Sequence, residues 1–189
     1  MSIGETQLIE PVPILATTLP EFIVQRRVLT PRQCEGLTEG TLLRGRYYRS
    51  NSGSFTKRVD IAYVYPQQAR WLFAKIGTLA VKRNIWDLAL YAITEPIRVQ
   101  RYVRGDYSGV HTDYDYTDCD HSKLTIIMPL VDPREWRGGK LQIGNSLATP
   151  RLRRGDAVVF PSFTPHKVSR VLRGSRIILS AWVSGPLLR

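Results

Sequence analysis

The chain has 189 residues, 43% of them hydrophobic, and its 27 Lys and Arg against 16 Asp and Glu leave a formal charge of +11. That length can bury one good core, and with no Pro/Gly/Ser-rich linker to divide it, one domain is expected. No apolar run approaches the roughly 18 residues that span a bilayer. No basic-then-apolar leader opens the chain, and Cys34 and Cys119 match no zinc spacing, so a cytoplasmic protein with free thiols and no membrane partner is expected.

Leu29-Thr30-Pro31-Arg32-Gln33-Cys34 is a helix start, with Thr30 as N-cap, Pro31 at the first helical position and Gln33 able to close a capping box. Gly40 fits its end. From Gln67 to Arg83 the apolar residues Ala69, Leu72, Phe73, Ile76, Leu79 and Ala80 recur at spacings of three and four, the stripe of an amphipathic helix lying on a core. Beyond Asn84 the period changes to two. Strands are predicted at Trp86 to Ile93, Ile97 to Tyr102, Leu124 to Leu130, Lys140 to Ile143, Ala157 to Phe160, Lys167 to Val171 and Arg176 to Trp182. Gly138-Gly139, Gly144-Asn145 and Gly155-Asp156 mark turns between them. Residues 1–85 thus read as helical support with N-terminal strands, and 86–189 as a mainly β core. Short strands joined by tight turns suggest an antiparallel double-sheet jelly roll, open at one end to a small ligand.

The chemistry concentrates at His111-Thr112-Asp113, followed 55 positions later by His166 and then by Arg176. Residues two apart on a strand share a side, so His111 and Asp113 can reach one ion while Thr112 faces away. Two imidazoles and a carboxylate can occupy one face of a ferrous ion and leave three coordination positions open. His166 follows a proline-punctuated turn, Phe160-Pro161-Ser162-Phe163-Thr164-Pro165, which delivers it to the start of the next strand. Arg176 shares a strand face with Ile178, Ser180 and Trp182, and a charge on an inward face needs a partner. A downstream arginine offers a fork for a carboxylate.

From about Ile97 to Pro186 the chain resembles the iron and 2-oxoglutarate dependent dioxygenases, and among them the prolyl-4-hydroxylase-like group with its bacterial PKHD-type hydroxylases. The matches run in order: Gln100-Arg101-Tyr102, His111-Thr112-Asp113, Leu124 to Leu130, Trp136 to Leu141, Arg154 to Ser162, His166, and Arg176 to Trp182. The resemblance implies a double-stranded β-helix of cupin type. It implies His111, Asp113 and His166 as Fe(II) ligands, Arg176 on the distal carboxylate of 2-oxoglutarate, Tyr102 hydrogen-bonding that cosubstrate and Ser180 assisting Arg176. It also implies a hydroxylase of a peptidyl or free amino acid, using dioxygen and coupled to decarboxylation of 2-oxoglutarate to succinate and carbon dioxide. L-ascorbate is an optional further cofactor of this expectation. Trp182 is expected to pack beside the iron.

Other features are less specific. Asp113, Asp115, Asp118 and Asp120 interleave with Tyr114 and Tyr116, but no glycine turn or terminal glutamate makes this a calcium loop. As a substrate lid it would place Tyr114 and Tyr116 on the substrate; a solvated loop is the plainer reading. His121 is expected at the surface. Arg104-Gly105-Asp106 and Arg154-Gly155-Asp156 read as turns. The basic clusters Arg26-Arg27 and Arg151-Leu152-Arg153-Arg154 read as solvated surface, with an anionic partner left open. Two alternatives stand beside the hydroxylase. An oxidative nucleic-acid demethylase would suit the charge, but such enzymes usually carry a second arginine six residues after the first, where this chain has Trp182. A non-enzymatic jelly-roll binding module is the other.

Overall fold

The computed structural model describes residues 19–39, 48–52, 57–114 and 121–187, with the backbone alone for 48–52 and 57–58. In chain order the elements are β1 (Ile23–Gln25), α1 (Pro31–Thr38), β2 (Tyr48–Ser52), β3 (Lys57–Val64), α2 (Arg70–Arg83), β4 (Ile97–Tyr102) and β5 (Tyr107–His111). There follow β6 (Ser122–Pro129), β7 (Arg137–Gly138), β8 (Leu141–Ile143), β9 (Ala157–Pro161), β10 (His166–Val168), β11 (Val171–Arg173) and β12 (Arg176–Ser184). The main sheet runs β1-β9-β6-β12-β4-β3-β5-β10-β8, with β2 paired to β3, and β7 and β11 form a separate two-stranded piece. All strand pairs are antiparallel. This is the mainly β jelly roll with two supporting helices that the resemblance implies.

Local chemistry explains the helices. The Thr30 hydroxyl accepts from the Gln33 amide while the Gln33 side chain accepts from the Thr30 amide, so the capping box closes as expected. Gly40, expected at the end of α1, lies outside the described residues. α2 buries Leu72, Ile76, Leu79 and Ala80 on one face.

Strand alternation builds two cores. Leu124, Ile126 and Met128 of β6, Leu179, Ala181 and Val183 of β12, and Ile97 and Val99 of β4 pack toward the helices with Leu37 and Leu72. The residues between them, Ile127 and Ile178 among others, point into the roll with Val158, Phe160 and Tyr102. Both faces of β6 and β12 are therefore covered, which is why those strands are buried almost throughout.

Two expectations are corrected. Trp86 to Ile93 is not a strand: Asp87 has φ +52°, Asn84 closes a loop by exchanging side-chain hydrogen bonds with Leu88, and only Ala92 bridges to Ser184. The alternation there reflects Trp86, Leu88 and Leu90 resting on the helix-side core without a pairing partner. Lys167 to Val171 divides into β10 and β11, because the Ser169 amide and the Arg170 carbonyl bond the β7–β8 turn instead of continuing one ladder. The two glycine turns hold, with Gly105 at φ +92° and Gly155 at φ +77°. At Gly155 a Cβ would also meet the Leu29 carbonyl oxygen at 2.2 Å, so no other residue fits.

Candidate metal centre

β5 and β10 pair so that His111 lies directly opposite His166, with ring centroids 4.3 Å apart. β5 ends at His111, and the Asp113 amide donates to the Ser162 carbonyl at 2.8 Å, which turns its carboxylate back toward both rings. His111 Nε2 is 3.6 Å from Asp113 Oδ1, and His166 Nε2 is 3.4 Å from Oδ2. One ligand atom from each of the three residues lies within 4.8 Å of the others. Each Nδ1 is occupied: His111 donates to the Gly109 carbonyl at 2.8 Å and His166 to the Thr164 carbonyl at 3.1 Å. A proton fixed on Nδ1 leaves a lone pair on Nε2, the tautomer a metal requires, with the ring orientation set by the backbone.

The carboxylate has its own support, which sequence reasoning missed. Thr125 donates to Asp113 Oδ2 at 2.8 Å, and with that proton committed Ser162 donates to the Thr125 oxygen at 3.0 Å. Burial pushes the Asp113 pKa up, but His166, His111, the Trp182 indole and Thr125 together outweigh it and hold the carboxyl below its usual range. Trp182, expected to pack beside the iron, lines the same cavity as Asp113. The legible signal was a polar residue at an interior position of an apolar strand, as Thr125 is in β6.

Arg176 opens β12 directly opposite Tyr102 at the end of β4. Only 4% of Arg176 is exposed, its guanidinium carbon sits 5.1 Å from the centre of the Tyr102 ring, and its Nη1 has no hydrogen-bond partner. A buried guanidinium with one unpaired nitrogen has the chemistry to pair with a carboxylate. Burial lowers the Arg176 pKa and raises that of Tyr102 to about 12, so the phenol keeps its proton as a donor throughout the neutral range. Ser180, expected to assist Arg176, instead donates to Gln100 Oε1 at 3.0 Å. Gln100 was also missed; its amide nitrogen is buried without a partner. Gln100, Tyr102, Ser180 and Trp182 line one cavity with His111, Asp113 and His166.

The sequence model of the 2OG-Fe(II) oxygenase superfamily matches residues 97–184, which spans every one of these residues. A PKHD-type hydroxylase of Picosynechococcus is 32% identical over 172 residues, covering 83% of this chain and 75% of that protein. The chain belongs to the 2OG-Fe(II) oxygenase superfamily. Within it the relatives are PKHD-type hydroxylases: another, from Prochlorococcus marinus, is 31% identical over 114 residues, and the chain spans about half of its length, 52%. Among solved structures, a Pseudomonas putida prolyl-4-hydroxylase superposes with a TM-score of 0.70 at 18% identity, covering 88% of this chain and 94% of that one. A Trichoplax adhaerens prolyl hydroxylase in complex with a peptide fragment of the hypoxia inducible factor oxygen degradation domain gives 0.62 at 18% identity, covering 87% and 84%. These two show the fold of the oxygenase.

Other expected residues fall in mixed places. Tyr114 is buried, its ring 5.1 Å from the Lys123 ammonium, while Tyr116 and the aspartates at 115, 118 and 120 lie outside the described residues. His121, expected at the surface, is half-buried beneath the Gly185 amide, which donates to its carbonyl. Cys34 is a free buried thiol whose pKa burial pushes up to about 11, and Cys119 is outside the described residues. No helix among the described residues is long and apolar enough to cross a membrane.

Proposed function

We propose that this oxygenase hydroxylates a peptidyl or free amino acid, with His111, Asp113 and His166 holding Fe(II) and Arg176 anchoring 2-oxoglutarate. The observation that carries the reading is the convergence of two Nε2 lone pairs and one carboxylate at a single point, beside a buried guanidinium with a free edge. When bound, ferrous iron and 2-oxoglutarate supply the oxidative chemistry, in which dioxygen is spent on decarboxylating the keto acid to succinate and hydroxylating a carbon. The chain's own residues do the rest. Gly109 and Thr164 carbonyls keep both imidazoles in one tautomer, Thr125 orients the carboxylate, and the Tyr102 phenol stands ready to donate to the cosubstrate. Val158, Phe160 and Ile178 keep that region apolar and exclude water, which strengthens each of these interactions.

The relatives, PKHD-type and prolyl hydroxylases, one of them solved with a peptide, support this substrate class. Trp182 at the position where nucleic-acid demethylases carry their second arginine favours an amino-acid substrate over a nucleobase. The free thiol of Cys34 suits the cytoplasm; ascorbate would serve only to keep iron reduced. The test is incubation with Fe(II), 2-oxoglutarate and cell extract under air, followed by mass spectrometry. One added oxygen on a protein or amino acid, with matching succinate, supports the reading; succinate with the oxygen on a nucleic acid, or no succinate at all, overturns it.

A further inference from the structure

The metal centre uses few of the chain's 27 Lys and Arg, and a set of the others gathers at the opposite end of β9. Asp156, just before that strand, is 2% exposed. Its carboxylate accepts from the Arg26 guanidinium at 2.6 Å, the Arg27 amide at 3.0 Å and the Arg153 amide at 2.8 Å. The Arg26 guanidinium also donates to the Arg151 carbonyl at 2.8 Å. One sealed carboxylate therefore holds two basic segments side by side, and Arg27, Arg151 and Arg153 stand exposed around it. Arg27 does so from φ +54°, a left-handed conformation that glycine holds at lower cost. α2 extends the strip by contacts on both flanks of Arg26-Arg27: Arg83 donates to the Gln25 side chain at 2.7 Å and Lys75 to the Val28 carbonyl at 3.0 Å. That helix carries no acidic residue. The carboxylates at the border are spent, Glu35 on Arg154 at 3.2 Å and Asp132 on Arg134 at 2.7 Å. Among the described residues no carboxylate pairs with Arg27, Lys75, Arg83, Arg151 or Arg153.

We propose that this strip of uncompensated cations is a docking surface for nucleic acid, bound through its phosphates and without regard to sequence. A guanidinium fork matches a phosphate, and the release of counterions from a nucleic acid rewards several separated cations. A protein partner would need an apolar centre to the contact. Between Phe22 and Leu37, and between Thr149 and Phe160, no large hydrophobic side chain is exposed. The net charge of +11 draws a polyanion from a distance. The strip also lies away from the chemistry. Asp113 bonds Ser162, at the far end of β9 from Asp156, which is about 20 Å of extended chain. Nucleic acid is thus a partner docked apart from the reacting groups and not the substrate, and the inference makes no use of the proposed reaction.

Fluorescence anisotropy of the 189-residue chain with a labelled single-stranded RNA of mixed sequence, and with a DNA duplex, tests the surface without turnover. At least one probe is expected to bind at physiological salt. Its affinity should fall as salt rises with a log–log slope of about −2 or steeper, since each neutralised phosphate contributes about −0.7 to −0.9. Arg27→Glu, Arg151→Glu and Arg153→Glu together should weaken binding about tenfold or more. Arg70→Glu, Arg104→Glu and Arg173→Glu together change the net charge equally at exposed positions elsewhere, and should weaken it less than about threefold. Thermal unfolding checks that both triple variants fold. The milder pair Arg151→Gln and Arg153→Gln, which leaves the Arg27 turn alone, should still cost about threefold. No binding by either probe overturns the surface, as does an equal loss in the two triple variants. Displacement of the probe by poly-glutamate of matched charge, as effective as by unlabelled RNA, points to an acidic protein and overturns the nucleic-acid partner.

Discussion

The two faces of the same strands do opposite work. On the helix side, β6, β12 and β4 present Leu124, Ile126, Met128, Leu179, Ala181, Val183, Ile97 and Val99, an apolar layer with no polar side chain to satisfy. On the interior side, one residue away each time, they present Ser180, Trp182, Gln100 and Tyr102 around His111 and His166, with Thr125 on Asp113 and Arg176 opposite Tyr102. The outer layer supplies stability by burial, and the inner one spends some of it on buried polar groups with incomplete partners. A substitution on one face should therefore change activity with the fold intact, and on the other should change stability with the chemistry intact.

The largest expected effect is on the inner face. His111→Ala or Asp113→Ala should abolish 2-oxoglutarate turnover while thermal unfolding shifts little; full activity in either would break the assignment of the ligands. Arg176→Ala should mainly raise the 2-oxoglutarate requirement, seen as a higher KM with a smaller loss in kcat. Thr125→Val removes the donor to Asp113 and should cost roughly 10–100-fold in metal affinity, as loss of a supporting hydrogen bond to a ligand typically does. Equal metal affinity in wild type and Thr125→Val would show that Asp113 needs no such support.

On the outer face, Leu72→Ala should cost about 2–5 kcal/mol in denaturant unfolding, with kcat per folded molecule unchanged. The smallest effect should come from Asp156, which ties β1 to β9 by accepting from the Arg26 guanidinium and the Arg27 and Arg153 amides. Burial pushes its pKa up, but those donors prevail and the pKa is lowered in the fold. A lowered carboxyl pKa contributes stability above its unfolded value near 4, and that stability is lost as pH falls through the folded value. Asp156→Asn should thus cost about 1–3 kcal/mol at pH 7 and flatten the acid limb of the stability curve; an unchanged acid limb would place the pH dependence elsewhere.

The helices were readable because their signals are local: a Thr-Pro-x-Gln start and a stripe of three and four. β6, β9 and β12 were readable because apolar residues dominate them, and β4 because Ile97-Arg98-Val99-Gln100 alternates. β3 was not, since Lys57, Arg58 and Asp60 interrupt its alternation; only the fold pairs Asp60 with Arg101 of β4, at 3.0 Å. β5 carries Ser108 and Gly109, poor strand residues held there by β10 and β3 on either side. The His-x-Asp spacing, His166 and Arg176 stood out as residue types, and an ordered family resemblance joined them. Their support did not stand out, because Thr125 and Ser162 matter only through contacts made between distant strands, and the Gly109 and Thr164 carbonyls, each two residues before its histidine, matter only through the backbone shape that turns them onto the ring.

The central claim is that His111, Asp113 and His166 share one ferrous ion that still has room for a keto acid. Anaerobic addition of Fe(II) and then 2-oxoglutarate, followed by visible absorption, tests it most directly. A weak charge-transfer band should appear in the wild type, persist at higher 2-oxoglutarate in Arg176→Ala, and be missing in Asp113→Ala. A wild type that stays colourless, or an Asp113→Ala protein that keeps the band, would contradict the account.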